Sequence, residues 1–150
     1  AAGFTVKNEN VPGLVARLKS IAKAQLSGKD LRQTLSADME VALADLNFEV
    51  LKHLEYIEPT GYGNPDAVFV PRNVKVKSSR TVGADAKHLK LTLEDDRGAV
   101  FDSIGFRLGH LRDILPARVD VMYHLEANEW NGKRSLQLNL KDVKAAGIQD

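Results

Sequence analysis

Short runs of alternating apolar and polar residues dominate the chain after residue 67. In most of these runs an apolar side chain recurs at every second position, as in a strand with one buried face. The apolar positions are Val68, Val70, Val74 and Val76; Leu89, Leu91 and Leu93; Val100, Ile104 and Phe106; Val119, Val121, Tyr123, Leu125 and Ala127; and Leu136, Leu138 and Leu140. Between the last two runs, Asn131-Gly132 favours a type I′ hairpin turn, which needs positive φ at both central residues. The second half of the chain is therefore predicted to be mostly β.

The order of these runs predicts a particular barrel. A short helix or turn over residues 109–115, stopped by Pro116, falls between the third and fourth strands. Five antiparallel strands with a helix at that point follow the order of the OB fold, a small closed Greek-key barrel. We predict this barrel over residues 68–144. The main structural alternative is an SH3-like barrel, which does not normally carry a helix there.

The first 57 residues predict an α+β segment. A short strand should end at Thr5-Val6, and apolar residues at helical spacing predict a helix that begins near Asn10 and ends at Ser27-Gly28. Weak alternation predicts a strand over residues 34–41, and a second helix is predicted over 43–56. This segment is too small to close a convincing core alone.

A break follows at residues 58–65, where two prolines and two glycines occur within eight residues. Such a sequence stops a helix and cannot form a central strand. The predicted organisation is therefore an α+β remnant over 1–57, a linker over 58–67 and a mostly β five-stranded OB barrel within 68–150.

Composition excludes several classes of protein. The chain has no cysteine, which excludes disulfide scaffolds, iron–sulfur clusters, thiolate zinc sites and a cysteine nucleophile. It has no apolar stretch near the ~18 residues that span a bilayer, so no membrane association is predicted. A cysteine-free chain fits a reducing compartment, and we expect a cytoplasmic protein.

Positive charge is concentrated near the start of the predicted barrel. The stretch from Arg72 to Lys90 holds six basic residues against one acid, although the whole chain has a net charge of only +1. A local basic stripe is typical of a protein that binds a polyanion, although a lone charge run is more often a solvated surface.

The alternation also predicts which side chains face outward. Neighbours of the apolar positions should point away from the core, including Phe101 and Ser103 on the third strand and Gln137 on the fifth. OB folds bind oligonucleotides on this face and in two loops, predicted here at residues 78–87 and 128–133. The binding residues predicted on this basis are Lys75, Lys77, Arg80, Lys87, His88, Lys90, Trp130, Lys133, Arg134 and Gln137.

Each residue type has a physical reason to bind nucleic acid. Lysine and arginine neutralise phosphates, an exposed aromatic stacks on an unpaired base, and glutamine pairs with base edges. Alternatives remain open. Trp130 is about equally well explained as a lid over the hairpin, Phe101 is better explained by packing, and His88 by a surface hydrogen bond.

No catalytic pattern is apparent. The four histidines, at positions 53, 88, 110 and 124, lack metal-ligand spacing, and no serine lies in a nucleophile-elbow pattern. Asp95-Asp96-Arg97-Gly98 is explained by a hairpin turn. This chain alone is therefore not predicted to be an enzyme, and no metal or other cofactor is predicted in it.

Three motifs resemble the C-terminal part of the RecJ family of bacterial single-stranded-DNA-specific exonucleases. The start, Ala1-Ala2-Gly3-Phe4-Thr5-Val6, resembles the end of a motif in the family's DHH-associated domain. Residues 58–65, Glu-Pro-Thr-Gly-Tyr-Gly-Asn-Pro, resemble the linker before its OB domain. The third match is a series within that OB domain: HLKL at 88–91, IGF at 104–106, NEWNG at 128–132 and LQL at 136–138.

The resemblance implies a function that this chain shares only in part. RecJ proteins degrade single-stranded DNA from the 5′ end, using Mn²⁺ or Mg²⁺ held in an N-terminal DHH domain whose motifs are not present here. Residues 1–57 would then be the end of the DHH-associated domain. The chain is expected to be a monomer that binds single-stranded DNA without cutting it, with DNA-repair proteins as possible further partners.

Two other functions stay open at this point. An OB barrel can serve as a structural or protein-docking module without binding nucleic acid directly. An RNA-binding OB domain, like those appended to tRNA synthetases, is a weaker alternative because the N-terminal half does not suit it.

Overall fold

The computed structural model describes residues 3–31 and 34–147, which form two compact units that divide between Leu35 and Ser36. In the first unit, a 3₁₀ turn at Asn8–Asn10 leads into helix α1 (Val11–Leu26), which is capped at its C-terminal end by Ser27. Gly28 then takes a φ of 77°. The predicted helix is confirmed, whereas the predicted strand at Thr5-Val6 is wrong, because these residues pair with no other described strand.

The second unit begins with short elements. Strand β1 covers only Met39–Glu40, not the predicted 34–41. Its parallel partner, Phe69–Val70, is itself only two residues long and offers no further pairing. The predicted helix over 43–56 is broken into a 3₁₀ turn (Leu43–Asp45), helix α2 (Phe48–Leu54) and a second 3₁₀ turn (Glu55–Ile57). The cause is Asn47, whose extended backbone starts a new helix and whose Oδ1 accepts bonds from the Glu49 and Val50 amides.

Five of the remaining six described strands form a closed ring. The six are β2 (Phe69–Val70), β3 (Val74–Val82), β4 (His88–Glu94), β5 (Val100–Gly105), β6 (Arg118–Trp130) and β7 (Lys133–Ala145). Strands β3 to β7 form the ring, and the short β2 pairs with the outside strand β1 and with β6. The sheet order is β1-β2-β6-β3-β4-β5-β7, and β6 also pairs with β7, which closes a five-stranded barrel. A 3₁₀ helix (Gly109–Ile114) connects β5 to β6. The predicted OB fold is confirmed.

The barrel interior is filled by the alternating apolar residues. Leu89, Leu93, Val119 and Leu138 are fully buried there, and Leu43 from the segment before α2 joins the same cluster. The chain from Leu43 to α2 thus completes the barrel core. The predicted assignment of residues 1–57 to a DHH-associated domain stays a prediction.

Tyr123 is the polar exception in the core. Its side chain is fully buried, and its hydroxyl has no hydrogen-bond partner among the described residues. Burial alone raises the pKa of Tyr123 well above its usual value, because the phenolate cannot be hydrated there.

Two aspartates fix the connections at one end of the barrel. Asp120, almost fully buried on β6, accepts bonds from the Arg72 side chain at 3.1 Å and the Asn73 amide at 2.8 Å. Asp95 begins the β4–β5 turn and accepts from the backbone amides of residues 44, 97 and 99. Its partial burial raises the pKa of Asp95, but these amide bonds, with the charge of Arg97, outweigh that effect and lower the pKa below its ordinary value.

Candidate nucleic-acid interface

The outer face of β3 and β4 carries two directly opposed cations. A bulge between Val76 and Ser78 shifts the register of β3, so that Arg80 stands directly opposite Lys90. Both side chains point away from the buried Leu89 and Leu91, and neither forms an ion pair within residues 3–31 and 34–147. Like charges in direct cross-strand register repel one another. A bound anion would relieve this repulsion.

Other predicted cations are already neutralised. The ammonium groups of Lys75 and Lys77 lie 4.0 and 3.0 Å from the Glu94 carboxylate, and that of Lys87 lies 3.1 Å from Asp85. The pairs are exposed and weak, so a phosphate could compete for the lysines. Arg80, predicted in a loop over 78–87, lies instead on β3, because this strand continues to Val82.

The middle of the same face is polar and carries acids. Ser78 Oγ donates to Thr92 Oγ1, which donates to Asp102 Oδ1, both at 3.0 Å. Asp102 is opposite Gln137 on β7. The predicted role of Gln137 as an open base-pairing group does not fit its position, because neighbouring residues leave only 7% of it exposed.

The predicted orientation of β5 is wrong by one residue. Leu91 pairs with Ser103 and Leu93 with Phe101, which places both of these β5 residues on the inner side. Ser103 is fully buried and donates to the Leu91 carbonyl, while Phe101 packs against the core. Val100 is consequently exposed, and Phe106 is an exposed aromatic that the alternation assigns to the core.

Phe106 lies just beyond the opposed cations. Residue 104 pairs with Lys90 and residue 105 with Leu89, so Phe106 follows next to His88. The two rings meet edge to face with centroids 5.3 Å apart, and Phe106 is 57% exposed. His88 itself accepts a bond from the Arg107 amide at Nδ1. His88 therefore forms a surface hydrogen bond, as the alternative to DNA binding predicts for this residue.

Trp130 lies at the other end of this face. Asn131 and Gly132 take φ values of 50° and 74°, as the type I′ turn requires, and they alone connect β6 to β7. Trp130 therefore ends β6 directly opposite Lys133 and is 73% exposed. It does not form a lid over the hairpin, and Lys133 forms no ion pair with a described residue.

Arg134 lies on the opposite side of the hairpin from Trp130. It is opposite Glu129, and side chains of successive strand residues point to opposite faces. Its guanidinium lies 5.6 Å from the centre of the Phe48 ring and 3.8 Å from Glu55. Arg134 and Lys133 therefore lie on opposite faces of the hairpin, and Arg134 contacts the α2 region. The role of Arg134 in DNA binding stays a prediction.

A small cavity lies elsewhere in the described part of the chain. This cavity of about 90 Å³ between α2 and β6, lined by residues that include Leu51 and His124, is too small for a nucleotide. Residues 3–31 and 34–147 contain no group of three or more metal-ligating side chains. They also contain no helix long and apolar enough to cross a membrane.

Comparison with known proteins identifies the family. The family model for the RecJ OB domain matches residues 37–142. The chain belongs to this family. Its match to the single-stranded-DNA-specific exonuclease RecJ of Bacillus subtilis is 31% identical and covers 99% of the chain, and its match to that of Escherichia coli is 25% identical and covers 95%. The chain spans 19% and 25% of these RecJ proteins.

A solved structure shows that the fold is shared with RecJ. The crystal structure of RecJ in complex with Mn²⁺ from Thermus thermophilus superimposes with a TM-score of 0.78 at 23% identity. The superposition covers 97% of this chain and 21% of that one. The RecJ structures hold Mn²⁺ or Mg²⁺, but the described residues of this RecJ OB-domain chain do not form a site that fits either ion.

Proposed function

We propose that this chain binds single-stranded DNA on the outer face of its OB barrel. Within a RecJ-type exonuclease it would orient the strand for a catalytic DHH domain that would use Mn²⁺ or Mg²⁺, the ions of the RecJ crystal structures, and would degrade DNA from the 5′ end. The observation that carries the proposal is the opposed pair Arg80–Lys90, two outward cations without an acidic partner among the described residues.

The proposal gives this pair a function that offsets its cost. Placing Arg80 opposite Lys90 costs folding free energy in the free protein. Phosphates held between the two side chains convert that repulsion into binding energy and release counterions from the DNA. The names of the RecJ relatives support DNA as the polyanion, and a cytoplasmic location follows from that substrate.

Single strands are favoured over duplexes by the exposed aromatics. Trp130 projects from the hairpin end beside Lys133, so that its indole can stack on a base while the ammonium binds the adjacent phosphate. Base faces are accessible in single strands, whereas in duplexes they are covered by the neighbouring base pairs.

The test is a titration of oligo-dT with matched charge variants. Arg80→Gln with Lys90→Gln should weaken binding about equally for all single-strand sequences. The control, Lys19→Gln with Lys52→Gln, removes the same charge from exposed positions of α1 and α2. An equal effect of both double variants would refute a localised site. Lack of binding by the wild type at low salt would favour a docking module instead.

A further inference from the structure

Phe106 is exposed and packs on His88, and two further contacts hold His88 in place. The His88 ring lies against the ring of Phe106 on one side, and Nδ1 accepts a 3.1 Å bond from the amide of Arg107. On another side the backbone of Gly83 is so close that a Cβ there would lie 2.7 Å from the histidine ring. Arg107 takes a φ of 64°, so the turn after Phe106 is constrained as well.

This rigid, exposed aromatic has no role in the core. Phe106 lies outside the buried cluster, whereas Phe101, five residues earlier, packs against it. A large exposed ring that is fixed in place is preorganised for contact with a flat partner. The cation pair Arg80–Lys90 is adjacent, since Lys90 pairs with the residue two before Phe106.

We propose that Phe106 is a second base-stacking platform, and that the single strand is bound from Phe106 at one end of the outer face to Trp130 at the other. The inference rests on the proposed function and adds to it the length of the site. His88 is then a positioning residue for Phe106 and does not contact the DNA.

The register gives the distance between the two platforms. Trp130 pairs with Lys133 on β7, and Gly105, which precedes Phe106, pairs with Leu140. Phe106 follows Gly105, so it lies about eight residues of strand from Lys133, or roughly 26 Å at about 3.3 Å per residue. A strand stacked at about 3.4 Å per nucleotide would cross this distance with roughly eight nucleotides, and a more extended strand with fewer. The minimal length that contacts both platforms is therefore roughly four to eight nucleotides, within the range of OB folds.

The central acids suggest how the strand is oriented between the platforms. Asp102 and Glu126 lie between the two ends of this face, and each accepts a hydrogen bond, from Thr92 and Asn139 respectively. Carboxylates repel phosphates but accept bonds from base amino groups. Phosphates are therefore expected near Arg80, Lys90 and Lys133, with bases over the middle.

The experiment is a length series of oligo-dT from three to twelve nucleotides, with affinity measured by anisotropy of labelled DNA. Phe106→Leu keeps an apolar side chain against His88 but removes the flat ring, and Phe106→Trp restores one. Tyr56→Leu is the matched control, because Tyr56 is also exposed and packs edge to face on a histidine, His53, at 6.0 Å.

The platform predicts an effect that depends on length. Phe106→Leu should weaken binding of an eight-nucleotide strand about 5- to 100-fold, and Phe106→Trp should recover it. A three-nucleotide strand that quenches the fluorescence of Trp130 should bind Phe106→Leu as tightly as it binds the wild type. Tyr56→Leu should match the wild type at every length.

Two outcomes would separate the claims. If Phe106→Leu binds eight nucleotides as tightly as the wild type while Trp130→Ala does not, the second platform is refuted and the proposed function stands. If the wild type binds no oligonucleotide, the proposed function fails, and the platform fails with it.

Discussion

Replacing Trp130 with alanine should separate DNA binding from folding. Trp130 is 73% exposed, so only about a quarter of its surface is covered by the rest of the protein. With a tryptophan area of about 250 Å² and about 25 cal/mol/Å², truncation should cost at most about 2 kcal/mol of folding free energy. Loss of base stacking should weaken single-strand binding by about 1–3 kcal/mol, or roughly 5- to 150-fold in Kd.

The assay can use the protein's own fluorescence. Trp130 is the only tryptophan in the chain, so any change of indole emission reports on the hairpin end. Oligo-dT should quench this emission in the wild type, and a duplex of equal length should quench it much less. Anisotropy of labelled oligo-dT measures the affinity of Trp130→Ala, and urea unfolding followed by circular dichroism measures its stability. The reasoning is refuted if the variant binds like the wild type, or if its weaker binding is fully explained by unfolding.

Three further predictions concern the fold. Tyr123→Phe removes a buried hydroxyl that has no partner among the described residues, so the free energy of unfolding in urea should stay equal or rise by up to about 1 kcal/mol; a clear loss would reveal a hidden partner. Asp120→Ala leaves the Asn73 amide and Arg72 without their acceptor and should lower that free energy by about 1–3 kcal/mol. The control is Asp113→Ala, which breaks an exposed ion pair with Arg112 and should change the free energy little. The lowered pKa of Asp95 means that its carboxylate stabilises the fold above its ordinary pKa of 3.8 and loses this effect as the pH falls through the lower folded value. Asp95→Asn should therefore be less stable than the wild type at pH 7, and the difference should shrink at pH 2; a constant difference would contradict this assignment.

The sequence was sufficient to predict the barrel because alternation and turn chemistry act locally. Most of the strands carry apolar residues at every second position over most of their length, and Asn131-Gly132 specified the last turn. Together with the short helix before β6, these signals predicted the strand order that the structure shows.

Orientation was predicted less well because it depends on pairing between distant strands. The run on β5 is apolar at Val100, Phe101, Ile104 and Phe106, so its sequence fits either face. The register with Leu91 and Leu93 selects the face that buries Phe101. In the same way, the bulge after Val76 leaves no signal in the sequence but determines that Arg80 meets Lys90.

One missed feature had a signal in the sequence. A two-residue turn at Asn131-Gly132 makes Trp130 and Lys133 partners, which places Arg134 on the other face by alternation. The contact of Arg134 with Phe48 joins segments 86 residues apart in sequence, and could only be found from the structure.

The most direct test of the central claim is the salt dependence of single-strand binding with and without the cation pair. Each phosphate neutralised contributes about −0.7 to the slope of log K against log salt for single strands. Removing both charges with Arg80→Gln and Lys90→Gln should therefore make the slope shallower by about 1.4, while the α1 and α2 control variant should keep the wild-type slope. An unchanged slope in the Arg80/Lys90 variant would show that DNA is not held at this pair, and would contradict the account.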